Sequence, residues 1–129
     1  MRIGAMMAFA AVGFVPLAMP AMLLAHTRVV ASAPVQGATV KGLRVVTLTF
    51  SEALLPPTVA TSIVMTAMPG VQNHGELAIR NFTSRWSGGN RTLTLSLGKP
   101  LGAGRYDVRW QAAGADGHRM TGKISFTVG

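Results

Sequence analysis

Short runs of β-branched and apolar residues alternate with turn-forming residues along most of the chain beyond residue 26. In LRVVTLTF, residues 43–50, the odd and even positions form two separate sets, which is the period-2 pattern of a strand with one buried face. No long stretch shows a sustained helical period. The pattern therefore predicts an all-β domain.

Seven runs carry this strand signal: TRVVAS, LRVVTLTF, TSIVMT, ELAIRNF, RTLTLSL, RYDVRWQA and KISFTV. Turn-forming residues separate them at Pro34, Pro56-Pro57, Pro69-Gly70, Gly88-Gly89-Asn90, Gly98-Lys99-Pro100 and Gly114. Seven strands in about a hundred residues predict a seven-stranded Greek-key β-sandwich of immunoglobulin-like type. A cupredoxin-like barrel is the variant of this architecture that we also consider. There is no internal repeat and no second domain in the pattern.

The first residues have a different character. Arg2 supplies a positive charge, residues 3–24 are almost wholly apolar, and Ala25 is the small residue expected before a signal-peptidase site. We expect residues 1–25 to be a cleaved signal peptide. Two observations favour an uncut anchor instead: Leu23 is larger than the −3 position prefers, and the apolar run is just long enough to span a bilayer.

Cleavage after Ala25 would leave residues 26–129 as one exported domain that begins with His26. The chain has no cysteine, so this domain has neither disulfides nor thiolate metal sites, and any soft metal ligand must be methionine or histidine. The formal charge of +8 would suit a polyanion. The basic residues are scattered with no run of three, however, so we expect no nucleic-acid partner.

The candidate chemistry concentrates in AGADGHRMTG, where Asp116 and His118 are separated by one glycine. In an extended segment both side chains would point to one side, although DGH alone is also typical of a polar β-turn. An N-terminal His26 would offer its amine and its ring nitrogen. With the ring of His118 these make three nitrogen donors, and the Asp116 carboxylate would be the fourth donor. Tetragonal nitrogen and oxygen ligation suits Cu(II).

Glu52 ends the run LRVVTLTFSE. Its carboxylate could orient a ligand ring by accepting a hydrogen bond, or it could approach the metal itself. The alternative is a surface glutamate that ends a strand.

A second candidate site lies in MTAMPGVQNH, which contains Met65, Met68 and His74. Two thioethers and an imidazole suit Cu(I). A methionine in a strand is more often core filler, so Met65 would contribute only if its side chain faced outward. Met68 and His74 flank a turn that contains Pro69-Gly70, and they could be either metal ligands or ordinary loop residues.

These segments together resemble the CopC family of periplasmic copper-resistance proteins. The resemblance rests on His26 behind a signal peptide, LTFSEAL, MTAMPGVQNH, PLGAGRYDVRWQAAGADGHRMTG and the closing ISFTV. It implies a copper carrier with Cu(II) bound by His26, Asp116 and His118 near Glu52. It also suggests a Cu(I) site at Met65, Met68 and His74, and a partner of the CopD type, an inner-membrane copper transporter. The chain departs from the fullest Cu(I) pattern, because Val71 and Leu77 stand where further methionines are expected.

Three functions are compatible with these residues. The first is a non-enzymatic periplasmic protein that sequesters Cu(II) and hands copper to a membrane partner. The second is a copper-dependent oxidase that uses the same N-terminal histidine arrangement on a polymer, for which we find no flat aromatic binding surface in the sequence. The third is a metal-free adhesion or assembly module. We favour the carrier, since no nucleophile with a paired base and no phosphate-binding glycine loop is recognisable.

Overall fold

The computed structural model describes residues 27–129. Its strands, β1 to β9 in chain order, are Val29–Ala33, Thr39–Val40, Val45–Phe50, Ala60–Ala67, Leu77–Ile79, Phe82–Ser87, Thr92–Leu97, Gly104–Ala113 and Arg119–Val128. A four-stranded sheet has the order β1-β3-β7-β6, and a five-stranded sheet has the order β2-β9-β8-β4-β5. The predicted all-β sandwich is thereby confirmed.

The described residues form nine strands where the sequence predicted seven. Each of the seven runs contains a strand, but ELAIRNF covers β5 and only the first residue of β6. The remaining residues of β6, 83–87, lie outside the predicted runs, and β5 and β6 belong to different sheets. Between them the chain turns tightly, with the Phe82 N–H donating to the Arg80 carbonyl at 3.0 Å. The other additional strand, β2, has only two residues and pairs parallel to β9. Two residues are too few to produce a recognisable period.

Alternation in β3 shows how the core is built. Val46, Leu48 and Phe50 face the other sheet and are at most 1% exposed, whereas Val45, Thr47 and Thr49 lie on the outer surface or at its margin. The Phe50 ring meets Trp110 of β8 edge to face, with ring centroids 5.0 Å apart. Such a pair contributes about 1 kcal/mol beyond the area it buries, so β3 and β8 are fixed against each other.

The long strands β8 and β9 determine where the loops lie. They pair antiparallel from Gly104 opposite Val128 to Ala113 opposite Arg119, and β4 pairs antiparallel with the other side of β8. The β8–β9 connection therefore lies at one end of the sandwich, and the loop that follows β4 lies at the other end. At about 3.3 Å per residue along β8, the two ends are on the order of 30 Å apart.

Within residues 27–129, no helix has the length and apolar character needed to cross a bilayer.

Candidate metal centre

Residues 114–118 connect β8 to β9 in a loop closed by its own backbone. The Gly117 N–H donates to the Gly114 carbonyl at 2.9 Å, and the Gly114 N–H donates to the His118 carbonyl at 3.3 Å. Gly117 has a φ of +83°, a left-handed conformation that glycine adopts without steric cost. The segment is therefore a turn, and the extended segment considered from the sequence is not what brings Asp116 and His118 together.

Asp116 holds His118 by two contacts. Its Oδ1 accepts the backbone N–H of His118 at 2.9 Å, and its Oδ2 lies 3.0 Å from the ring Nδ1. A carboxylate only accepts hydrogen bonds, so Nδ1–H is the donor and the neutral ring keeps its lone pair on Nε2. The backbone bond from His118, followed by the bond from its ring, holds the pKa of the Asp116 carboxyl below its ordinary value.

Both side chains are open to solvent, with 76% of the His118 side chain and 67% of the Asp116 side chain exposed. The carboxylate oxygens each have a second lone pair beyond the one that His118 uses. The loop can therefore present an imidazole nitrogen and a carboxylate oxygen to an ion that arrives from solvent.

Glu52 lies beside this loop. Its Oε1 accepts a hydrogen bond from the Thr27 hydroxyl at 2.8 Å, and Thr27 is only 6% exposed. The same oxygen occupies the space that a Cβ on Gly114 would need, and Asp116 Oδ1 lies 3.7 Å from that Cβ position. An isolated bridge between Leu54 and Gly114 ties the two segments together. The structure thus places Glu52 next to the loop that carries Asp116 and His118.

Thr27 is a residue that the sequence analysis missed. Thr27 lies before β1, and nothing in its sequence position indicates burial or a carboxylate partner 25 residues away. Only the position immediately after His26 could have drawn attention to it.

The predictions for His26 and for the signal peptide at residues 1–25 fall outside the described residues. Within residues 27–129, no three side chains of the histidine, cysteine, aspartate and glutamate types are placed to hold one metal ion together.

The three residues predicted for a Cu(I) site differ in their surroundings. Met65 is 7% exposed and belongs to the core cluster between the sheets, with its terminal methyl 3.0 Å from the position of a Cβ on Gly104. Its side chain does not meet the condition of facing outward. Met68 is 36% exposed at the end of the sandwich opposite the Asp116–His118 loop.

The loop after β4 reverses at Pro69-Gly70, with the Val71 N–H donating to the Met68 carbonyl at 3.1 Å. Further along, the His74 Nδ1 contacts the carbonyl oxygen of Gly75. The His74 Nε2 is shielded from solvent and has no hydrogen-bond partner in the structure. Met68 thus has a thioether at the surface, and His74 has a ring nitrogen without a hydrogen-bond partner.

The fold is an immunoglobulin-like β-sandwich, and one of its ends carries an imidazole and two carboxylates. The CopC domain profile matches residues 29–129. The chain therefore belongs to the CopC family.

Individual relatives agree with this assignment. The chain is 35% identical over 108 residues to copper resistance protein C of Pseudomonas syringae pv. tomato, and 33% identical over 108 residues to copper resistance protein C of Xanthomonas campestris pv. juglandis. Each alignment covers 84% of both chains. The crystal structure of PcoC, a methionine-rich copper resistance protein from Escherichia coli, superposes with a TM-score of 0.71 at 28% identity. That superposition covers 81% of this chain and all of PcoC.

The donor chemistry of the Asp116–His118 end fits Cu(II). Imidazole nitrogen and carboxylate oxygen are ligand types that Cu(II) accepts in tetragonal sites, while cysteine is absent from the whole chain. The hydrogen bond from Nδ1 to a carboxylate is the arrangement that commonly fixes the tautomer and orientation of a metal-binding histidine.

Proposed function

We propose that this protein is an exported copper-binding protein that sequesters Cu(II) in copper resistance or homeostasis and passes copper to a membrane partner. The observation that carries the proposal is the hydrogen bond from Thr27 to Glu52 beside the Asp116–His118 loop. It brings the beginning of the described chain to the end of the sandwich where an imidazole and two carboxylates lie.

The proposed Cu(II) site combines this end of the sandwich with His26. Consecutive α-carbons lie about 3.8 Å apart, so the residue before Thr27 is attached one peptide bond from a side chain that contacts Glu52. As the first residue of an exported chain, His26 would offer its amine and its ring to one ion. His118 would add a ring nitrogen and Asp116 an oxygen, completing a nitrogen-rich tetragonal set.

In this site Asp116 has two roles. Its contact with Nδ1 orients the His118 ring in the metal-free protein, and once that contact opens a carboxylate oxygen can bind the ion together with the ring. Glu52 lies close enough to accept a hydrogen bond from a ligand or to approach the ion. Because the amine and the imidazoles bind copper only when deprotonated, Cu(II) affinity is expected to fall as the pH is lowered.

The proposed export rests on the signal-peptide features of residues 1–25, and cleavage after Ala25 would create the N-terminal His26. The compartment that fits the family resemblance is the periplasm, and the membrane partner that fits it is a copper transporter of the CopD type. The sequences named copper resistance protein C support the role in copper resistance.

We favour a carrier over the oxidase alternative because, in the proposed site, the Asp116 carboxylate would occupy a coordination position that an oxidase needs open. The copper-loaded protein is accordingly expected not to consume oxygen in the presence of a reductant. Sustained oxygen consumption that depends on bound copper would favour the oxidase.

We also propose a weaker Cu(I) site at Met68 and His74. It rests on the exposed thioether of Met68 and the unpartnered Nε2 of His74. Met65 would remain in the core, and Val71 and Leu77 offer no thioether. Because an imidazole binds metal only in its deprotonated form, this site should lose Cu(I) in mild acid more readily than a site made of thioethers alone.

Competition against a Cu(I) chelator at neutral and mildly acidic pH tests this second site. The parent should retain Cu(I) better than Met68→Leu combined with His74→Ala. Met65→Leu serves as the control, since it changes a core methionine to a residue of similar volume, and its Cu(I) retention should match that of the parent. Equal retention by parent and double variant would mean that Met68 and His74 do not bind Cu(I).

The Cu(II) proposal is tested by two measurements on the exported protein. Intact-mass spectrometry should give a species that begins at His26. Titration of this species with Cu(II) should saturate at one equivalent with a nitrogen-rich tetragonal electron paramagnetic resonance (EPR) spectrum. A protein that retains residues 1–25, or that binds no Cu(II), would contradict the proposal.

A further inference from the structure

Gly114 is one of the glycines of this domain whose conformation does not require glycine. Its φ lies outside the left-handed range, unlike that of Gly117 in the same loop. A side chain at this position would collide with the Glu52 carboxylate. Its Cβ would overlap Oε1 and lie 3.5 Å from the carboxyl carbon. Gly114 therefore provides space for Glu52.

Thr27 holds the same oxygen from the other side. Its hydroxyl donates to Glu52 Oε1 at 2.8 Å, and its burial keeps water from replacing that hydrogen bond. Glu52 Oε1 is thus confined between a buried hydroxyl and the bare α-carbon of Gly114, at a point where Asp116 Oδ1 is also near.

We infer that Gly114 and Thr27 are positioning residues that hold the Glu52 carboxylate against the Asp116–His118 loop and thereby strengthen Cu(II) binding. This inference rests on the proposed Cu(II) site and adds two residues that are not themselves ligands. Gly114 acts by having no side chain, and Thr27 acts through its hydroxyl.

The substitution Gly114→Ala is expected to displace Glu52 and leave the fold intact. The atoms that its Cβ would meet belong to the end of a flexible side chain, which can rotate toward solvent, and alanine is allowed at this φ. The variant therefore removes the carboxylate from the site without removing it from the chain.

A double-mutant cycle tests this directly. Gly114→Ala and Glu52→Ala should each weaken Cu(II) binding by about tenfold, the lower end of what the loss of a group next to the metal ligands costs. The double variant should bind Cu(II) as Glu52→Ala alone does, because Gly114→Ala has no carboxylate left to displace. Gly102→Ala is the matched control, since a Cβ there meets nothing within 4 Å, and its affinity should equal that of the parent.

Two further variants test the hydroxyl. Thr27→Val keeps the shape of the side chain and removes the donor, so its Cu(II) affinity should fall and its Cu(II) EPR spectrum should shift. Thr27→Ser keeps the donor and should restore parental values. These variants decide the question independently if Gly114→Ala does not fold.

Two outcomes would overturn the inference and leave the Cu(II) site itself standing. In the first, Gly114→Ala and Glu52→Ala act independently and together weaken Cu(II) binding about a hundredfold. In the second, Gly114→Ala and Thr27→Val both bind Cu(II) as the parent does. A parent protein that binds no Cu(II) would overturn both proposals. Melting of the metal-free proteins, measured alongside, separates a loss of copper from a loss of fold.

Discussion

Among single residues, His118 is a candidate metal ligand whose side chain has only a small structural role. Its side chain is 76% exposed, and its ring contacts Asp116 in the same turn. Exposed side chains of this kind contribute little to the free energy of unfolding, so function and stability should separate cleanly at this position.

We therefore expect His118→Ala to lose tight Cu(II) binding while the metal-free domain keeps its stability within about 0.5 kcal/mol. Urea unfolding without metal and Cu(II) titration check the two halves of this prediction. His74→Ala is the control and should keep Cu(II) binding. A metal-free His118→Ala protein that unfolds at much lower urea would assign the residue a structural role instead.

The sequence predicted the residues of this end of the sandwich better than their geometry. Asp116, His118 and Glu52 were selected by their chemistry, and the structure places Glu52 beside the loop that carries Asp116 and His118. The contribution of Thr27 was not predictable, because it depends on a partner 25 residues away in the chain. The space that Gly114 provides was equally hidden, since a glycine between strands is normally interpreted as a turn residue.

At the scale of strands and loops, ionic contacts on the outer surface connect the segment before β5 to β8. Arg109 donates to both carboxylate oxygens of Glu76, at 3.0 and 2.6 Å, and also to Asp107 at 3.3 Å. The hydrogen bond from Arg109, together with its charge, holds the pKa of Glu76 below its ordinary value.

Because the pKa of Glu76 is lowered in the folded state, this ion pair stabilises the fold at pH values above the unfolded-state pKa of glutamate, about 4.3. The stabilisation is lost as the pH falls through the folded-state pKa. Glu76→Gln should therefore melt below the parent at pH 7, and the two melting temperatures should converge below about pH 4. A difference that stays constant from pH 7 to pH 3 would show that charge is not involved. High salt at pH 7 should narrow the difference.

The fold itself was largely predictable at this scale. Period-2 alternation located a strand within each of the seven runs, and Pro and Gly clusters marked the connections. The strand β6 was not predictable, because FTSRWS contains only two large apolar residues, Phe82 and Trp86, and its place in the four-stranded sheet depends on its pairing with β7. That information is tertiary and leaves no local period.

At the scale of the whole molecule, the two proposed copper sites lie at opposite ends of β8. Met68 follows Ala67, which is opposite Arg105, and the Asp116–His118 loop follows Ala113. A separation on the order of 30 Å allows no shared ligand and no direct transfer of an ion from one site to the other.

Binding of Cu(I) and binding of Cu(II) should therefore be independent. Protein loaded with one equivalent of Cu(II) should retain Cu(I) against a chelator as metal-free protein does, and Met68→Leu should leave Cu(II) affinity unchanged within about twofold, since distant sites rarely couple. Anaerobic competition without added reductant checks this. A large mutual effect would require the sites to share a structural change.

The proposed Cu(II) site depends above all on the N-terminal amine of His26, which would bind the ion together with the Asp116–His118 loop. The most direct measurement compares the Cu(II) affinity of protein beginning at His26 with that of protein carrying one additional alanine before it. The extra residue moves the amine away from the histidine ring and leaves every described residue unchanged. We predict that Cu(II) affinity falls by orders of magnitude and that the EPR spectrum loses nitrogen ligation. Equal affinity and an unchanged spectrum would contradict the account.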